Sequence, residues 1–219
     1  MTRLLMLVEG QSEEIFVKQT LAPFLGERGV FVEPIVLWTK RNPSGGGFRG
    51  GVVSWQQIQK NLLPLLGDKN AWVTTLLDFY GLPTDFPGYQ AALAAGDPLD
   101  RVLALQERFA QEFNHPRFIP FFALHEFEAW LFCAPEVVAK HFGNPDLVLP
   151  IQAAVIHAGS PERINHGKDT HPKARLQFLK MGYKETSDGP TLMEKIGILT
   201  IHANCPHFAA WVDRLVGLG

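Results

Sequence analysis

The order of hydrophobic patterns predicts an α/β fold: a mostly parallel sheet flanked by helices, with a helical C-terminal extension. Three observations carry this. Short apolar runs alternate with helix-period segments up to residue 124, the pattern of strand–helix–strand units. From Pro135 onward the strand-like runs cease, and helical segments and turns continue. Several strand-like runs also end on or just before an acid, followed by a turn. In open α/β sheets ligands bind at that edge.

The first strand is Leu4-Leu5-Met6-Leu7-Val8, closed by Glu9 and Gly10. Ser12 reads as the N-cap of a helix over 13–25, ended by Gly26. A second strand is expected over 30–37, then a mobile glycine-rich loop at 44–51. A helix over 54–66 precedes a third strand over 72–77 that ends on Asp78. The Pro/Gly-rich stretch 81–88 leads to a helix over 98–113. The fourth strand, 117–124, runs into His125 and Glu126. Helices are then expected over 136–142, 173–181, 191–198 and 206–215, with Thr191 and Glu194 as a capping box. A soft boundary near Pro135 gives a core at 1–134 and a helical extension at 135–219 packed on it as one continuous domain.

Hydrophobic residues make up 46% and charged residues 19% of the 219, which fits a packed core and argues against disorder. A net charge of −2 means that any polyanion site is a local basic patch. The two cysteines, Cys133 and Cys205, form no CxxC pair, and a reduced, cytoplasmic protein is expected. Glu9 breaks the N-terminal apolar run too early for a signal-peptide core, and no apolar stretch has the roughly 20 residues that span a bilayer.

Glu9, Asp78 and the pair Glu126/Glu128 lie at or just beyond the ends of predicted strands. If those strands are parallel neighbours, the acids converge. Converging carboxylates repel one another unless a cation is present, and oxygen donors suit Mg²⁺ or Mn²⁺. Such ions activate water in phosphodiester cleavage. Each acid also has an ordinary reading. Glu9 fits a solvated turn. Glu13, in a first helical turn, is favoured by the helix dipole, and Asp78 fits a loop cap. On a helix Glu126 and Glu128 point about 200° apart, so both do not easily face one ion and one of them is read as structural.

Lys168, Lys173 and Arg175 arrive in a polar, turn-rich segment where a helix should begin. Lys173 and Arg175 suit a phosphate clamp, and a solvated basic loop equally. Other motifs fail. His125-Glu126-Phe127-Glu128-Ala129 has alanine where a zinc-protease helix needs its second histidine, and the glycine loop has no Gly-Lys-Ser/Thr.

Three segments carry a resemblance: Val8-Glu9-Gly10-Gln11-Ser12-Glu13, Leu77-Asp78-Phe79-Tyr80-Gly81-Leu82-Pro83 and His125-Glu126-Phe127-Glu128-Ala129-Trp130-Leu131. With Pro161-Glu162-Arg163-Ile164-Asn165, Pro172-Lys173-Ala174-Arg175 and Cys205-Pro206-His207-Phe208, they resemble an uncharacterised bacterial Toprim-like family, domain of unknown function 4276. Toprim domains pair a Glu after the first strand with an Asp-x-Asp after a later one, and bind Mg²⁺. Glu9 and Asp78 match, whereas Tyr80 stands at the second Asp and Asp85 is a weak substitute. The family context favours Glu128 over Glu126. The resemblance implies a Mg²⁺- or Mn²⁺-dependent nuclease with a nucleic-acid substrate, an ABC-type ATPase partner and a role in phage defence. In that reading Glu9 is general base or metal ligand, Asp78 is a ligand, Glu13 and Glu128 support them, and Lys168, Lys173 and Arg175 hold the phosphate. The alternatives are a non-catalytic nucleic-acid-binding or regulatory subunit, and a phosphatase acting on a small ester.

Overall fold

The computed structural model describes residues 1–41, 47–49, 54–164, 167, 169–179 and 182–219. Five strands form the main sheet. β1 (Thr2–Val8) lies between β2 (Val30–Val36) and β5 (Ala71–Asp78), and β5 also pairs with β6 (Phe118–Ile119) and β7 (Phe122–Ala123). All of these pairings are parallel. A separate antiparallel pair is formed by β3 (Trp38–Arg41) and β4 (Gly47–Arg49). Gly47–Arg49 is the described part of the glycine-rich segment; its other positions lie outside the described residues.

The β1 side chains alternate between two cores, as the period of two requires. Leu4, Met6 and Val8 join one core, with Phe16 and Leu21 from the first helical stretch and Ile201, Phe208 and Trp211 from near the C-terminus. Leu5 and Leu7 join the other, with Ile58 and Leu62 of α3 (Trp55–Leu66) and Val102, Leu105 and Phe109 of α5 (Pro98–Phe113). The helices after Pro135 thus share a core with the first strand.

The predicted fold class holds, with differences in detail. The first helix starts earlier, as α1 (Gln11–Phe16), with Gly10 rather than Ser12 at the N-cap. It then widens to a π turn over Val17–Leu21 before α2 (Ala22–Gly26). Pro23 in that last turn has no N–H to continue the ladder, and a wider turn just before it accommodates the loss.

The second difference is the fourth strand, which Pro120 splits into β6 and β7. Two buried threonines of β5 repair the ladder there. Thr74 Oγ1 donates to the Ile119 carbonyl at 2.6 Å. Thr75 Oγ1 donates to the Phe121 carbonyl at 2.8 Å and accepts from the Phe121 N–H at 2.9 Å.

Third, α7 (Val148–Ala158) was not foreseen; apolar around most of its surface, it shows no clear period. Fourth, Thr191 caps nothing. It lies inside α9 (Glu185–Ile196), its hydroxyl donating to the Ser187 carbonyl at 2.7 Å. The other expected helices appear as α6 (Pro135–His141), α8 (Pro172–Phe178) and α11 (Pro206–Val216), with α4 (Tyr89–Ala92) and α10 (Ile198–Asn204) in addition. Positions 180 and 181, predicted to end the 173–181 helix, lie outside the described residues. Among the described residues, no helix is long and apolar enough to cross a membrane.

Candidate active site

Parallel pairing puts the carboxyl ends of β1, β5 and β7 on one edge. Val8 lies opposite Leu76, and Asp78 opposite Ala123. Glu9 therefore emerges beside Asp78, and its Oε2 accepts the Asp78 backbone N–H at 3.2 Å. Asp78 Oδ1 accepts the N–H of Phe127 at 3.1 Å, drawing the segment after β7 onto the same edge. Gly10 begins α1, and its N–H donates to Glu13 Oε2 at 2.9 Å, which folds the buried Glu13 back toward Glu9. Glu128 stands on a 3₁₀ helix, Phe127–Cys133, almost wholly buried, and accepts the Tyr183 hydroxyl at 3.2 Å.

Every acid with a resolved shift in this cluster is held above the ordinary carboxyl range. Burial does most of it, and the neighbouring acids add to it. Asp78 is raised well above, first by burial and then by Glu9, Glu13, Glu128 and Glu126. Burial, then Glu9, pushes Glu13 up to about 7. Burial pushes Glu128 up to about 8, against the partial opposition of Lys173. Burial alone would lower the Lys173 ammonium, but Glu128, Glu185 and Glu126 outweigh it and hold the cation firmly charged. Its Nζ sits 2.7 Å from Glu185 Oε2.

The remaining candidates separate. Glu126 is buried and engaged with α8: its Oε2 lies 2.8 Å from His171 Nδ1 and accepts the Lys173 N–H at 3.1 Å. Asp85 is exposed and accepts the first N–H of α3, from Trp55, at 2.9 Å. Lys173 and Arg175, two positions apart on α8, diverge as helix geometry requires. Arg175 Nε donates to the Thr170 carbonyl at 2.6 Å and lines a cleft with Phe132, Ala154 and Phe178 that holds none of these carboxylates. Lys168 lies outside the described residues.

Sequence reasoning missed Glu185, Tyr183 and His171. The one available signal was His171 before Pro172, a cap followed by proline at the first helical position; His171 Nδ1 accepts the Ala174 N–H at 3.4 Å. Tyr80 stacks on the His171 ring with centroids 4.9 Å apart.

The donor chemistry, oxygen-only and anionic, fits a hard divalent cation. Among the described residues, no three Asp, Glu, His or Cys side chains stand around a single point. Mg²⁺ does not need such a cage, because it keeps several waters and binds through one or two carboxylates. Glu9 and Asp78, neighbours at the sheet edge, are the two acids that could serve in that way.

Fold and site together define a class: an α/β protein with buried and half-buried acids gathered near the carboxyl ends of neighbouring parallel strands. The chain belongs to the family described as domain of unknown function (DUF4276), which it matches over residues 8–216. No curated protein matches the sequence. Among solved structures, it is similar to the C-terminal region of the Burkholderia pseudomallei OLD protein, at 13% identity and a TM-score of 0.47, with 100% of each chain covered. It is also similar to the C-terminal region of the Xanthomonas campestris pv. campestris OLD protein, at 14% identity and a TM-score of 0.38, covering 98% of this chain and 96% of that one.

Proposed function

We propose that the protein is a divalent-metal-dependent hydrolase of nucleic-acid phosphodiesters. The observation that carries this reading is the position of Asp78, whose carboxyl is destabilised as an anion by burial and by four neighbouring acids at a sheet edge. Such a site is costly when empty and is relieved by a cation. Glu9 and Asp78 would hold Mg²⁺ or Mn²⁺, with Glu13 and Glu128 supporting them. The ion, when bound, supplies water activation and neutralises charge on the phosphate.

The chain's own groups would do the rest. The Lys173 ammonium, half-buried and held by Glu185, attracts and orients the anionic phosphate. Glu9, partly exposed at the strand tip, would alternatively act as the general base that takes a proton from the attacking water. An ABC-type ATPase partner, a cytoplasmic location and a phage-defence role belong to the same proposal.

A second reading has its own support. Tyr80 replaces a ligand-type residue and is packed on His171, which favours a nucleic-acid-binding or regulatory subunit without catalysis. Incubating the chain with Mn²⁺ and labelled single- and double-stranded DNA and RNA separates the two. Cleavage that requires metal and is lost in Glu9→Gln, with Tm nearly unchanged, supports the hydrolase. Binding without cleavage supports the subunit. Turnover of a small phosphomonoester alone would assign a phosphatase.

A further inference from the structure

Cys133 and Cys205 are 72 positions apart in the chain, yet their sulfurs lie 3.3 Å apart. Cys133 ends the 3₁₀ helix that carries Glu128, and Cys205 is the N-cap of α11. Both are free thiols in two different elements that the core holds together. The sulfurs need to close by little more than an ångström to reach the bonding distance of about 2.05 Å.

Access is unequal. Cys205 is fully buried, and Cys133 is half-buried. Cys133 lines a cleft of about 220 Å³ with Glu136, Gln152 and Asn204. That is several times the roughly 30 Å³ that a water occupies, so a peroxide fits. The hydrogen bond that Cys205 shares with Cys133, and then burial, hold the Cys205 proton on, above the ordinary thiol range. Cys133 is therefore the sulfur an oxidant meets first, with Cys205 waiting in contact behind it.

We propose that Cys133 and Cys205 form a modification site, which a peroxide converts into an intrachain disulfide. In the first step the Cys133 sulfur attacks one peroxide oxygen, the O–O bond breaks, and a sulfenic acid and water (or an alcohol, from an organic peroxide) result. In the second, the Cys205 sulfur attacks the sulfenic sulfur, the S–O bond breaks, and the Cys205 proton leaves with the hydroxide as a second water. Two thiols lose two electrons in total, and the peroxide gains them. The product ties the segment bearing Glu128 to the start of α11. The proposal does not depend on the hydrolytic activity.

The test uses the full chain, fully reduced and then exposed to hydrogen peroxide, followed by thiol alkylation and peptide mass spectrometry. The expected result is a linked pair of peptides containing Cys133 and Cys205, lighter by two hydrogens and separated by dithiothreitol. Tm rises by several degrees on oxidation, because the bond closes a long loop. Both effects vanish in Cys133→Ser and Cys205→Ser. If the buried Cys205→Ser fails to fold, the half-buried Cys133→Ser carries the control. Three outcomes overturn the proposal: both thiols still alkylate after peroxide, Cys133 gains oxygen while Cys205 still alkylates, or the link joins two chains.

Discussion

Asp78 shows at the scale of one residue how a site and a fold pull against each other. Its backbone ends β5, its Oδ1 anchors Phe127, and its charge is opposed by every acid around it. Asp78→Asn keeps an oxygen for the Phe127 N–H and removes the charge. In chelator at pH 8 this substitution should therefore stabilise the fold by about 1 kcal/mol, read as a Tm rise of a few degrees. Addition of Mn²⁺ should then raise the Tm of the native chain and leave that of Asp78→Asn unmoved. An equal metal shift in both proteins would remove Asp78 from the ligand set. Lys173→Met should weaken nucleic-acid binding severalfold and flatten its salt dependence, measured by fluorescence anisotropy across a salt series.

Among the elements, α11 has an unusual beginning. Its residue before Pro206 is Cys205, which offers no capping oxygen. The cap comes from far along the chain: buried Glu162 accepts the His207 N–H at 2.9 Å and the Phe208 N–H at 3.0 Å. A carboxylate there also complements the helix dipole. Burial still pushes Glu162 up to about 7 despite those two bonds. Glu162→Ala leaves two buried donors without partners and should cost roughly 2–4 kcal/mol. Glu162→Gln keeps a carbonyl oxygen and should cost about half as much. Urea unfolding with unchanged slope is the measurement; a loss below about 0.5 kcal/mol for Glu162→Ala would mean that water replaces the cap.

For the whole molecule, the direction of the pKa shifts sets a pH dependence. Glu13, Asp78, Glu128 and Glu162 all have folded pKa values above their ordinary ones. Between the unfolded carboxyl range and about pH 8 the folded state binds more protons than the unfolded state, so stability falls as pH rises. Metal-free protein should melt highest near pH 5 and progressively lower toward pH 8, and Mn²⁺ should recover most of that loss at pH 8. A metal-free Tm that climbs over the same interval would contradict the buried acidic cluster. The α/β architecture was legible because the strands read as short apolar runs bounded by turns, and α5 carries a helical period bounded by Asp97, Pro98 and Asn114. Glu9, Glu13, Asp78 and Glu128 were legible as candidates because strand ends and turns mark them. The engagement of Glu126 by α8 and the distant cap on α11 were not, since each depends on elements that meet only in three dimensions.

The packing of the C-terminal helices on β1 has a consequence for how the chain is made. Thr2 Oγ1 donates to the Leu218 carbonyl at 2.6 Å across 216 positions. Trp211 stacks on Phe121 with centroids 4.2 Å apart, and its Nε1 donates to Thr74 Oγ1 at 3.0 Å. On a ribosome adding about 5–20 residues per second, the first strand leaves the tunnel roughly 10–40 s before its cover does. For that interval Leu4, Met6 and Val8 have only the part of their cover that Phe16 and Leu21 supply, and the acidic edge has no Lys173 to offset its charge. The acids Glu9, Glu13, Asp78 and Glu128 are thus all synthesised before Lys173, the cation that faces them.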